Sequence, residues 1–167
     1  MIEKLIQGVR VRFRNGINHV AVGNLTQTLL IVPREHRSLL TQIDVLPPAN
    51  FGHGPEYAGG GSGVGWPRLS ELCFDTHYRP NNFPRNLTLL HEIGHIMENE
   101  YDCLSHLAPE HRRVIDNVTI PATAHTTGPT EHYAIAYQQV LSGNPPQAVR
   151  DAVYASRAFA GIDAPSP

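Results

Sequence analysis

His91, Glu92 and His95 stand in the run LTLLHEIGHIMENE, residues 87 to 100, as two imidazoles four positions apart with a carboxylate beside the first. On a helix, residues four apart lie about 6 Å along the axis on nearly one face, so both imidazoles can reach a single ion. Zinc takes neutral imidazole nitrogen at about 2.0–2.1 Å, and a helix holds two such ligands with little further loss of freedom. Glu92 is turned about 100° from His91, which directs it at a water on the ion rather than at the ion itself. Those are the parts of a hydrolytic site: an acidified water, a carboxylate that takes its proton, and room for a carbonyl.

The elements that must position these groups follow from the surrounding sequence. Pro84 marks the start of a helix that RNLTLLHEIGHIMEN carries to about Asn99, and Leu89, Leu90, Ile93, Ile96 and Met97 make it too apolar for a solvated face. Imidazoles on such a helix need partners, because an unpaired buried polar group costs about 1–3 kcal/mol. A metal supplies them; ordinary hydrogen bonds are the bland alternative. Gly94 admits the close approach of another backbone.

A catalytic zinc needs a third protein ligand and an open position. Glu98 and Tyr101 stand where metzincins carry Gly and His, so that class is excluded. Downstream candidates are His106, His111, His125, Glu131 and His132. The last two open a second helix, GPTEHYAIAYQQVLSG, with Pro129 near its start and Gly143 as its stop. Successive helical residues diverge by about 100°, so one of Glu131 and His132 faces the ion.

Earlier in the chain, VRVRFRNGINHVAVG alternates around Asn15-Gly16 and predicts a hairpin with strands at 9–14 and 17–22. A short helix opened by Pro33 runs through REHRSLLTQI, and IDVLPP is a brief strand stopped by Pro47 and Pro48. The glycine-rich run 51–66 lacks the Gly-Lys-Ser/Thr of a phosphate loop and is expected to be a mobile connection. PRLSELCFD, 67–75, predicts a strand; APEHRRVIDN and PQAVRDAVYASRAFAG predict helices, followed by a frayed tail at 161–167. Strands come early and helices late, which is α+β in a single domain over 1–167.

Composition narrows the function classes. With 167 residues the chain can bury about two-thirds of its unfolded surface in one core. A net charge of −2 and 17% charged residues argue against a nucleic-acid or anionic-membrane partner. No apolar run approaches the roughly 20 residues of a bilayer span, and the N-terminus MIEKLIQGVRVRF lacks the pattern of a Sec signal. The two cysteines, Cys73 and Cys103, are too few for a disulfide scaffold, with a single bridge left open.

HEIGH followed about 36 residues later by TEHYAIAY resembles the gluzincin metallopeptidases, the anthrax lethal factor-like group in particular, over roughly residues 67 to 141. In that group a helix of pattern Glu-aromatic-aromatic-Ala-Glu-Ala-aromatic supplies the third ligand; here the pattern reads Glu131, His132, Tyr133, Ala134, Ile135, Ala136, Tyr137. The resemblance implies a minimal zincin fold, one Zn2+ per chain held by His91, His95 and Glu131, and a peptide or protein substrate. The family has an aromatic where His132 stands, which keeps His132 as an alternative ligand. It also places an oxyanion-steadying tyrosine seven residues before the glutamate, where this chain has Ala124; neighbouring His125, or else Tyr133, becomes the candidate donor.

The resulting expectation is a zinc-dependent endopeptidase with Glu92 as general base and its substrate extended along the exposed edge of the strand near 68–74. Peptide deformylase also uses H-E-x-x-H, but its cysteine ligand lies upstream in an EGCLS-like segment, whereas DCLSH at 102–106 lies downstream. A non-catalytic zinc-binding or interaction module is the rival from another class. Compact zincins of this size resemble toxin or effector domains carried by bacterial secretion proteins such as type VI spikes, an analogy of architecture alone.

Overall fold

A computed structural model describes residues 1–122 and 127–165. Among the described residues five strands and six helices form an α+β fold: β1 (Ile2–Ile6), β2 (Val9–Phe13), α1 (His19–Ile31), α2 (Arg34–Arg37), β3 (Ile43–Leu46), β4 (Gly60–Gly63), β5 (Trp66–Ser70), α3 (Leu87–Tyr101), α4 (Pro109–Asp116), α5 (Pro129–Ser142) and α6 (Gln147–Tyr154). The sheet order is β1-β2-β3-β5-β4. The β2/β3 and β3/β5 pairs are parallel, and an antiparallel strand closes each side. Val9, Val11 and Phe13 alternate into the core while Arg10 and Arg12 point to the other face, the period-2 pattern of a sheet covered on one side.

The hairpin turn lies earlier than the sequence predicts. Gln7 and Gly8 both have positive φ, 49° and 80°, as a two-residue turn between twisted strands requires, and they join β1 to β2. Residues 19–22, expected in the second strand, belong to α1 instead. The Asn18 side chain accepts a hydrogen bond from the Ala21 amide at 3.2 Å, and Ala21, Leu25, Thr28 and Leu29 form one buried helical stripe. Alternation over a few residues mimicked a strand; the longer period won.

Other boundaries shift for similar local reasons. α2 is a single turn, because the chain must straighten into β3. The expected strand at 67–75 ends at Ser70, whose side chain caps a 3-10 turn over Glu71–Phe74. The run 51–66 is not a bare connection: it contains β4, which makes a hairpin with β5. β5 therefore lies inside the sheet, and the free edge expected there belongs to β4.

α3 begins at Leu87, not at Pro84, because Asn86 is the residue that caps it, accepting from the Leu89 amide at 2.9 Å. A buried polar knot fixes that end. Asn86 donates to Asn24 Oδ1 at 2.9 Å, the Asn86 amide donates to Thr28 Oγ1 at 2.8 Å, and Asn24 donates to the Asn82 and Pro84 carbonyls at 2.7 and 2.9 Å. At the far end Asp102 adopts φ 49°, and its amide closes on the Glu98 carbonyl at 2.8 Å. One hydrophobic cluster joins the sheet, α1, α3, α5 and α6. Cys73 and Cys103 are buried and free, and burial pushes the Cys73 thiol up to about 12.

His36 is a core histidine that titration should expose. Fully buried, its Nε2–H donates to the Ala158 carbonyl at 2.6 Å, while Nδ1 accepts from the Tyr137 hydroxyl at 2.8 Å. Burial lowers its pKa below 6.5, against the pull of the Ala158 carbonyl. The unfolded chain thus takes up a proton more readily than the folded one. The His36 contribution to stability should be complete above about pH 6.5 and fade as the pH falls below it. Denaturant midpoints measured between pH 7.5 and 5.5 are expected to decline, and to decline less in His36→Phe.

Candidate metal centre

α3 and α5 pack against each other at Gly94. A Cβ there would sit 2.8 Å from Ala134 Cα and 3.1 Å from the Ala134 carbonyl oxygen, so only glycine permits this approach. Gly94→Ala is expected to destabilise the fold by about 1–3 kcal/mol in chemical denaturation, despite the better helix propensity of alanine. The close packing sets the geometry of the polar cluster next to it.

Glu131, in the first turn of α5, meets both imidazoles of α3. Its Oε1 lies 2.8 Å from His91 Nε2, its Oε2 lies 3.0 Å from His95 Nε2, and the two Nε2 atoms are 3.1 Å apart. Glu131 is buried and both histidines are partly so. Among the described residues this is the group of histidine, cysteine and acidic side chains whose ligand atoms converge, all within 4.8 Å of one another.

The donor chemistry fits a cation. If both Nε2 atoms carry hydrogens for Glu131, their own 3.1 Å contact sets donor against donor; if either is bare, it faces the carboxylate as acceptor against acceptor. A cation at the centre satisfies all three contacts. Ligands at about 2.0–2.1 Å in tetrahedral geometry are about 3.3 Å apart, a few tenths of an ångström wider than this triangle. Burial pushes His91 down to about 4, against the attraction of Glu131, and lowers His95 for the same reason. Both are therefore neutral at pH 7, the form that ligates a metal.

Of Glu131 and His132, it is Glu131 that faces the two imidazoles. His132 turns away, and its Nδ1–H donates to the Val118 carbonyl at 2.6 Å. Tyr133 is fully buried and shares a 2.8 Å hydrogen bond with Ser156 Oγ, so it is no donor to this site. His106 and His111, in a 3-10 turn and in α4, are outside the cluster. His125 lies outside the described residues.

Glu92 faces β4, and Glu92 Cγ is 3.1 Å from where a Gly60 Cβ would be. The residue is 7% exposed, and burial pushes its carboxyl up to about 7, opposed by the Ser62 hydroxyl and reinforced by Glu131. The cluster and Glu92 lie in a cleft of about 1560 Å³, walled by β4 on one side and by Ile96, Ile135 and Gln138 on the other.

β4 presents backbone to that cleft. Ser70 donates to the Gly59 carbonyl, so in the antiparallel ladder Gly61 and Gly63 are bonded to β5, while the N–H and C=O of Gly60 and Ser62 point to the free edge. The Tyr57 hydroxyl already donates to the Gly60 carbonyl at 3.0 Å. Tyr57, Gly60 and Ser62 escaped the sequence reading because glycines carry no hydropathy signal. The sign that could have found β4 was the Val64-Gly65 pair standing between GGSG and WPRLS, with Gly65 at φ 65° as its turn residue.

An α+β domain with an H-E-x-x-H helix, a facing glutamate and a glycine edge strand is what fold and site define. Comparison of the chain with protein families, characterised proteins and solved structures gives no significant match. No helix among the described residues is long and apolar enough to cross a membrane.

Proposed function

We propose that this chain is a zinc-dependent endopeptidase. The observation that carries the reading is the convergence of His91, His95 and Glu131 on one point, with Glu92 beside it against a free strand edge. His91, His95 and Glu131 would hold the ion. When bound, zinc supplies an acidified water and polarises the carbonyl to be attacked. Glu92 would serve as general base and pass the proton on to the leaving amine, a role that its buried place in the same cleft supports. A substrate strand pairs with the outward N–H and C=O groups of Ser62 and with those of Gly60, displacing the Tyr57 hydroxyl.

The test has two parts. Mass spectrometry of zinc-loaded, desalted protein is expected to find one zinc per chain. Digestion of a broad peptide library is expected to give cleavage that a chelator abolishes. Zinc without cleavage would leave a binding module, and failure to hold any divalent cation would end the enzymatic reading.

A further inference from the structure

The outer face of the sheet, opposite the helices, carries a row of alternating charge. Glu3 on β1 is the register partner of Arg12 on β2, Arg12 of Asp44 on β3, Asp44 of Arg68 on β5, and Arg68 of Gly61 on β4. The row reads minus, plus, minus, plus, and then ends in a residue with no side chain. Within it Arg12 takes both oxygens of Asp44, at 2.7 Å each. Both Asp44 oxygens are thereby engaged. Arg68 has no ion-pair partner within 4.0 Å among the described residues, and its Nε is buried without a hydrogen bond.

Arg68 instead reaches outward. Its guanidinium lies 5.2 Å from the Trp66 ring centroid, and one terminal nitrogen is 3.6 Å from where a Gly61 Cβ would stand. The cation therefore covers Gly61 and leans towards the free edge of β4. Any larger residue at 61 would occupy that path. A strand added at this edge has its side chains alternating between the two faces, and the residue opposite Gly61 projects onto the outer face. Strands lie about 4.8 Å apart, so an acidic side chain at that position and the long Arg68 side chain meet over the glycine.

We propose that Arg68, half-buried with its terminal nitrogen reaching across Gly61, is a specificity-determining residue that selects extended substrates with Asp or Glu opposite Gly61. The substrate carboxylate supplies the next minus of the row. That carboxylate sits on the outer face of the sheet, and because the Arg68 charge also acts on Glu92, the selection is read as a ratio between acidic and neutral peptides and not as a rate. The inference deepens the endopeptidase reading and rests on it for the direction of the substrate.

The experiment compares the zinc-loaded parent, Arg68→Gln and Gly61→Asp on one library of acidic and neutral peptides, reading cleavage by mass spectrometry and binding on a peptide array. A Cβ at position 61 meets nothing closer than the Arg68 terminal nitrogen at 3.6 Å, so Gly61→Asp is designed to place a carboxylate from within the chain on Arg68. The parent is expected to favour acidic over neutral peptides at one position by about tenfold, the scale of a charge-assisted hydrogen bond near the surface. Both variants should bring that ratio close to one. Cleavage with no acidic preference in the parent, or a preference unchanged in both variants, overturns the proposal and leaves the peptidase reading intact. Array binding that depends on Arg68 without any cleavage upholds the edge subsite and overturns the peptidase reading. Neither cleavage nor acidic binding overturns both.

Discussion

Glu92→Ala is expected to keep one zinc per chain and to lose turnover by about a thousandfold, the usual worth of a positioned general base. The separation of the two effects follows from geometry. His91, His95 and Glu131 form the candidate ligand triangle, whereas Glu92 faces Gly60 of β4 and is not part of it. Removal of the carboxyl should not cost the metal-free protein stability at neutral pH. Its folded form is pushed up to about 7 by burial, from an ordinary value of 4.5, so above pH 7 the folded state holds a charge that the unfolded state holds more readily. The checks are metal content, initial rates and melting temperature of the variant beside the parent. An unchanged rate in fully metallated protein would remove Glu92 as the base.

Glu131→Ala should do the opposite and weaken zinc by more than about 100-fold, since loss of even an outer-shell partner costs 10- to 100-fold. It removes the only carboxylate of the triangle and leaves two imidazoles on one helix turn. In the parent, zinc at about 1,000 times its dissociation constant should stabilise the fold by about 4 kcal/mol, and at the same zinc concentration this gain should fall to about 1.4 kcal/mol or less in the variant. His132→Ala is the control. It breaks a hydrogen bond to the Val118 carbonyl and should cost about 1 kcal/mol of stability while retaining the ion. Competition against a chromophoric chelator measures both; retention by Glu131→Ala with loss by His132→Ala would reverse the assignment.

The legible parts of the protein were those whose information is local. His91 and His95 stand one turn apart on a helix that apolar residues and an Asn cap define, and Gly94 announced a close neighbour that proved to be Ala134. Glu131 was named from its motif with adjacent His132 kept as the alternative, and in the structure His132 turns instead to the Val118 carbonyl, 14 residues away. The less legible parts depend on pairing between distant segments. Asn15-Gly16 carried the stronger turn signal, yet Gln7-Gly8 makes the turn because β1 is the strand available to pair with β2. The role of GGSG as an edge strand comes from β5 alone, since four small residues have no face of their own to bury.

The pairing of helices at Gly94 and the hairpin that holds β4 belong to different layers of the molecule. All three candidate ligands ride on the helical layer, while the strand that would seat a substrate rides on the sheet. A small shear between the layers would leave the ion's cage undistorted and yet change the reach from Glu92 to anything lying along Gly60 and Ser62. Substitutions where α3 rests on β4 and β5 should therefore alter turnover without altering the grip on the metal, so that the two properties can drift apart in evolution or in the laboratory.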